Sequence, residues 1–116
     1  MKELVLDISH CDTDIDLAEW KARHNIYAVI VKAGGYERLN GNRYPEQFET
    51  RIYSQHLRNV VALNLHVGAY FYSVATDVDT ARQNADYFVS LLDKYGVKFD
   101  MPVYVDIEDP GQLGID

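Results

Sequence analysis

Met101-Pro102-Val103-Tyr104-Val105-Asp106-Ile107-Glu108-Asp109 is apolar along most of its length and acidic at its end. Its Val, Tyr and Ile content suits a pleated surface, so residues Met101 to Ile107 read as a strand, and Asp109-Pro110-Gly111 then turns the chain. Working back from this run, Gly96 stops a helical stretch in which Ala81, Ala85, Phe88 and Leu92 recur at helical spacing, with Thr76 and Asp79 forming a capping box at its start. His66 to Tyr72 is a further strand by its Val, Tyr and Phe content. Ahead of it, Pro45 suits the first turn of a helix that keeps Phe48, Ile52, Leu57, Val60 and Val61 on one broad face until Asn64.

Tyr27 to Ala33 is a buried-strand candidate, and Gly34-Gly35 opens a loop that runs to about Tyr44. Leu4-Val5-Leu6-Asp7-Ile8 lacks helical spacing and suits a strand buried on both faces. Between these two strands, Asp14 and Asp16 offer helix-starting oxygens. Leu17, Ala18 and Trp20 begin an amphipathic stretch that ends near Asn25 as a left-handed C-cap. The order is strand then helix three times, closed by a strand, with no hairpin signal. That order predicts a parallel α/β sheet, because parallel neighbours need crossover connections. In such folds ligands sit at the C-terminal strand ends.

The chain has 116 residues, 11 Lys+Arg against 18 Asp+Glu and a formal net charge of -7. One domain, residues 1–116, is the ceiling, and a closed (β/α)8 barrel, which needs at least about 200 residues, would be incomplete. An apolar share of 47% with only 7 Gly and 3 Pro fits a folded core and argues against disorder. An acidic balance without a Lys/Arg run provides no electrostatic footprint for nucleic acid or an anionic membrane surface. No stretch approaches the roughly 18 apolar residues of a membrane span, and Met1 to Asp7 read as a strand, not a basic leader, so no export signal is visible. The single cysteine, Cys11, forms no internal disulfide and leaves the compartment open.

Asp7, Tyr70, Tyr72, Asp106 and Glu108 all fall near C-terminal strand ends. Asp106 and Glu108 are two residues apart, so on an extended strand they share a face with α-carbons roughly 6.6 Å apart. Two like charges at one small site do not both ionise freely; one pKa rises and its owner is equipped as a general acid. Paired carboxylates of this kind flank the scissile bond in glycoside hydrolysis. An Asp-x-Glu at a strand end also serves simply to polarise it and cap the next turn. Asp7 weighs against that plainer reading, because a charge within a buried strand is costly unless it is paired or placed at an open site.

Four segments of the chain resemble, in order, the motifs of the family 25 glycoside hydrolases, lysozymes of the Chalaropsis or muramidase type. Asp7-Ile8-Ser9-His10 with Asp14-Ile15-Asp16 is similar to the opening motif, and Val29-Ile30-Val31-Lys32-Ala33-Gly34 to the second strand. Val67-Gly68-Ala69-Tyr70-Phe71-Tyr72, followed by Ala81, Ala85 and Tyr87-Phe88, is similar to the third strand and its helix. Pro102 to Asp109 resembles the catalytic strand and is the most specific of the four.

The resemblance implies about the first half of a TIM-like barrel, with four strands and three helices. It also implies cleavage of the β-1,4 bond between N-acetylmuramic acid and N-acetylglucosamine in peptidoglycan, without metal or organic cofactor. In that reading Glu108 is the general acid, Asp106 stabilises positive charge or positions the N-acetyl group, and Asp7 binds and tunes the site. Tyr70 and Tyr72 present rings to the sugars, and His10 lines the groove. Whether a protein carboxylate, the N-acetyl group or a water attacks the anomeric carbon stays open.

The sequence departs from the family at Cys11, Asp12 and Thr13, where an aromatic residue, Gln and Gly are frequent, and it stops before the later strands, one of which supplies a further active-site Asp. Asp12-Thr13-Asp14-Ile15-Asp16 imitates the start of a calcium loop but has Leu17 where Gly is required and Arg23 where Glu is required. His10, His24, His56 and His66 show no metal-ligand spacing, Gly34-Gly35 has no phosphate-loop pattern, and Cys11 lacks an orienting partner for nucleophilic chemistry. Two readings follow: a peptidoglycan-degrading enzyme, or a non-catalytic glycan-binding or self-assembling half-barrel. A half-barrel of this length exposes two edges and part of its apolar interior, which predicts a homo-oligomer.

Overall fold

In the computed structural model, which describes residues 2–9, 11–36, 38–39, 42–43 and 48–108, the four apolar runs form one parallel sheet. The elements in chain order are β1 (Leu4–Ile8), α1 (Leu17–Arg23), β2 (Ile26–Gly35), β3 (Arg38–Leu39), β4 (Asn42–Arg43), α2 (Tyr53–Ala62), β5 (His66–Tyr72), α3 (Val78–Lys94) and β6 (Val103–Asp106). The sheet order is β1-β2-β5-β6, with every neighbouring pair parallel. Each strand lies beside the strand before it, so the sheet winds in one direction with no reversal. That is the topology of a (β/α) barrel and not of a doubly wound sheet, and it is half of one, with four strands and three helices.

The core lies between the sheet and the helices. Val29, Val31 and Ala33 of β2 alternate with Val67, Ala69 and Phe71 of β5 to present one apolar face, covered by Leu17 of α1, Tyr53, Leu57 and Val60 of α2, and Phe88 and Leu91 of α3. Phe71 is 1% exposed, with ring centroids 5.6 Å from Phe88 and 6.2 Å from Tyr87. The opposite, concave face carries Val5, Asp7, Ile30, Tyr70 and Tyr104 and stays open.

Several expectations are corrected. β1 is not buried on both faces: Val5 is 50% exposed, because β1 is an edge of the sheet and among the described residues has a neighbour on one side only. Gly34-Gly35 does not open a loop; it lengthens β2 through a bulge after Lys32. Glycine is needed at Gly35, whose φ is 105° and where a Cβ would meet the Tyr72 carbonyl oxygen at 2.1 Å. The segment read as loop also contains the β3–β4 hairpin.

Helix α2 starts at Tyr53, later than expected, because the preceding segment runs along the end of β2. Gly35 N donates to Phe48 O at 2.9 Å and Thr50 N to Ala33 O at 2.9 Å, and Ile52, with φ 61°, turns the chain into the helix. Phe48 and Ile52 are therefore outside the helix, Val61 is exposed, and the expected start at Pro45 lies outside the described residues. Asp77, not Thr76, caps α3, accepting from Thr80 N at 2.7 Å; its buried residues are Asn84, Phe88 and Leu91, while Ala81 and Ala85 face solvent. Asn84 is at home there because its side-chain oxygen accepts from the Ser73 hydroxyl at 2.9 Å. Asn25 is not left-handed: α1 ends at an extended His24, and Asn64 after α2 takes the positive φ instead.

At the N-terminal strand ends, Asp100 braces β5. Its carboxylate accepts from Val67 N at 2.8 Å and meets His66 Nδ1 at 2.6 Å, while the His66 ring packs on Tyr27 at 4.3 Å. The Val67 amide first, then His66, hold the Asp100 carboxyl below its ordinary range. A depressed folded-state pKa contributes stability that is present above the unfolded value of about 3.9 and lost as pH falls through the folded one. Melting temperatures of wild type and Asp100→Asn should therefore converge as pH falls from about 4 towards 2. Parallel curves over that range would show that the brace is not electrostatic.

Candidate active site

The sheet brings Asp7, Tyr70, Asp106 and Glu108 to one open cleft of about 650 Å³ on its concave face. Asp7 enters from β1, opposite Ile30; Tyr70 from β5, opposite Tyr104; Asp106 ends β6, opposite Tyr72. The cleft floor depends on Gly68, where a Cβ would stand 2.7 Å from both Ile30 Cδ1 and the Pro102 carbonyl oxygen.

Asp106 and Glu108, two residues apart at the end of β6, both line the cleft, as the spacing predicts. The contact with Asp106 is the largest cause that raises the Glu108 pKa, the Asp106 charge adds to it, and Lys32 opposes it. The Asp7 pKa is raised too, first by desolvation on the concave face and then by Asp106 and Asp12. The Tyr70 phenol is pushed up by burial and then by the same acidic groups, Asp7 foremost, against a lowering hydrogen bond from the Ser9 side chain. At neutral pH Tyr70 is therefore a neutral hydroxyl beside the acidic side chains of the cleft.

Tyr72 does not line the cleft with the others. Its ring packs against Tyr36 at 5.5 Å and under the Lys32 ammonium, also at 5.5 Å. His10 lies outside the described residues. Lys32 and Ser9 stand in segments whose motifs are readable, but their roles are not. Lys32 is 4% exposed, donates to the Tyr36 carbonyl at 2.8 Å and is the cation that acts on Glu108. Its signal in the sequence is a lysine inside an otherwise apolar strand, the counterpart of Asp7. Asp12, met in the sequence only as a calcium-loop imitation, closes a turn: its carboxylate accepts from Ser9 N at 2.8 Å, and its own N–H donates to Ser9 O at 3.1 Å.

Comparison with known proteins agrees with the fold. The profile of the family described as Glycosyl hydrolases family 25 matches residues 6–114. Among solved structures, the catalytic domain of the endolysin ply40 from bacteriophage P40 of Listeria monocytogenes superposes with a TM-score of 0.77 at 19% identity, over 96% of this chain and 50% of that one. The modular autolysin LytC from Streptococcus pneumoniae superposes with a TM-score of 0.74 at 24% identity, over 90% of this chain and 22% of that one. LytC has also been solved in complex with a synthetic peptidoglycan ligand. The chain thus spans half or less of the length of these structures. No curated protein sequence matches it.

Proposed function

The chain belongs to glycosyl hydrolases family 25, and from that premise we propose that it hydrolyses peptidoglycan at the β-1,4 bond between N-acetylmuramic acid and N-acetylglucosamine. The observation that supports this reading is the meeting of Asp106 and Glu108 with Asp7 and Tyr70 in one open cleft at the C-terminal strand ends, where Asp106 raises the Glu108 pKa. Glu108 is the general acid: it protonates the glycosidic oxygen as the bond to the anomeric carbon breaks. Asp106 faces the positive charge that develops on the sugar or holds its N-acetyl group. Asp7 adds negative potential from the opposite edge of the cleft.

Tyr70 offers an aromatic face and a neutral hydroxyl to the sugar, and Tyr72 extends the aromatic surface beyond it. A peptidoglycan strand fits such a cleft because its sugars have apolar faces and its scissile oxygen needs only a proton donor. The chemistry assigned to these residues calls on neither metal nor organic cofactor.

The test is incubation with purified cell walls, followed by reduction and analysis of the new chain ends. Reducing ends on N-acetylmuramic acid are the expected product. New ends on N-acetylglucosamine would overturn the bond assignment. Sedimentation with walls and no release of reducing ends would favour the second reading, a glycan-binding module, for which the open concave face is the supporting observation.

A further inference from the structure

We infer that His56, a buried residue of α2 with no place in the cleft, is a positioning residue for the β1 end of the site, acting through Ser9. His56 is 3% exposed, and its Nε2 stands 3.1 Å from the Ser9 carbonyl oxygen, 47 positions away in sequence. A carbonyl only accepts, so Nε2 carries the hydrogen and donates it. Nδ1 is then an acceptor, and it is buried with no partner among the described residues. A histidine used purely as filling would be replaceable by an apolar side chain that buries no unpaired nitrogen. What the imidazole contributes here is one donor, delivered from a helix to a strand end.

Ser9 is where that donor matters. Three other hydrogen bonds converge on this residue: its amide donates to the Asp12 carboxylate at 2.8 Å, its carbonyl oxygen also accepts from Asp12 N at 3.1 Å, and its side-chain oxygen accepts from Cys11 N at 3.2 Å. Ser9 thereby sets where Asp12 stands relative to Asp7 and Tyr70, whose acidities Asp12 shifts, and its own side chain acts on the Tyr70 phenol. Ser9 directly follows β1, which among the described residues pairs only with β2, so the sheet holds this corner from one side. Helix α2 supplies the second hold through His56. The inference rests on the proposed glycan hydrolysis for its kinetic consequence but not for its structural one.

The experiment compares His56→Leu, which donates nothing, with His56→Gln, whose side-chain amide can replace the donor; His56→Met takes the place of the leucine variant if that variant does not fold. Amide hydrogen exchange at Ser9, Cys11 and Asp12 and hydrolysis of soluble peptidoglycan fragments are measured on each. The non-donating variant should exchange at these three amides at least about tenfold faster with exchange in β5 unchanged, and should lose about tenfold in kcat with KM within about twofold. The glutamine variant should recover both to within about threefold. Equal losses in both variants, or exchange that speeds uniformly across the sheet, would make His56 a packing residue and overturn the proposal. A wild-type protein without hydrolytic activity would sink the functional reading, while the exchange data would still decide the role of His56.

Discussion

Glu108→Gln should lower the rate of reducing-end release by at least about a hundredfold, since a positioned general acid contributes roughly 10²–10⁴. The amide has the shape of the acid and no proton to deliver. Glu108 is exposed and lies beyond the last residue of β6, so the melting temperature should not move, and the loss is separable from misfolding. The same site predicts a pH dependence with a definite sign. Glu108 acts in its protonated form, so the rate falls as pH rises through its pKa, and the contact with Asp106 is what raises that pKa. In Asp106→Asn the residual activity should therefore have its alkaline limb at lower pH than wild type. A limb that stays in place would mean that another group delivers the proton.

Phe71→Ala should cost about 3–5 kcal/mol, the range for truncating a buried Phe. Its ring is the centre of the layer between β5 and α3, touching Tyr87 and Phe88, and the space left behind is hard to close because β5 is held on both sides by parallel neighbours. Against a total stability of about 5–15 kcal/mol this is a large fraction, and it corresponds to a fall in Tm of roughly 15 °C for a chain of this size. Tyr70 and Tyr72 flank Phe71 on the same strand, so a variant that still folds should also bind wall fragments more weakly. Chemical denaturation checks the energy; a midpoint shift worth less than about 1 kcal/mol would show that α3 collapses onto the cavity.

The strand-and-helix alternation was legible because each element carries its own period. The apolar runs at Leu4–Ile8, Tyr27–Ala33, His66–Tyr72 and Met101–Ile107 all lie in the parallel sheet, and the carboxylates at their ends meet at one cleft. The misreadings share one cause. Ala81 and Ala85 fit the helical spacing as well as Asn84 and Leu91 do, and only the partner surface separates them: Ser73 offers Asn84 a hydrogen bond, and β2 receives the face that carries Leu91. Gly34-Gly35 looks like a loop from its neighbours in sequence, yet the close approach of Phe48 and Tyr72 makes it strand.

By itself, the amino-acid sequence determined the element types, the parallel topology, the acidic strand ends and, through the resemblance of its motifs, the family. These are properties of local spacing and residue chemistry, which the unfolded chain already carries. Tertiary structure alone decided that Gly34-Gly35 extends β2, that Tyr72 sits with Lys32 and Tyr36 and not with the carboxylates, and that His56 reaches Ser9. Burial, the field at a carboxyl group and the donor available to a carbonyl are set by atoms brought close from distant positions, and no period along the chain records them.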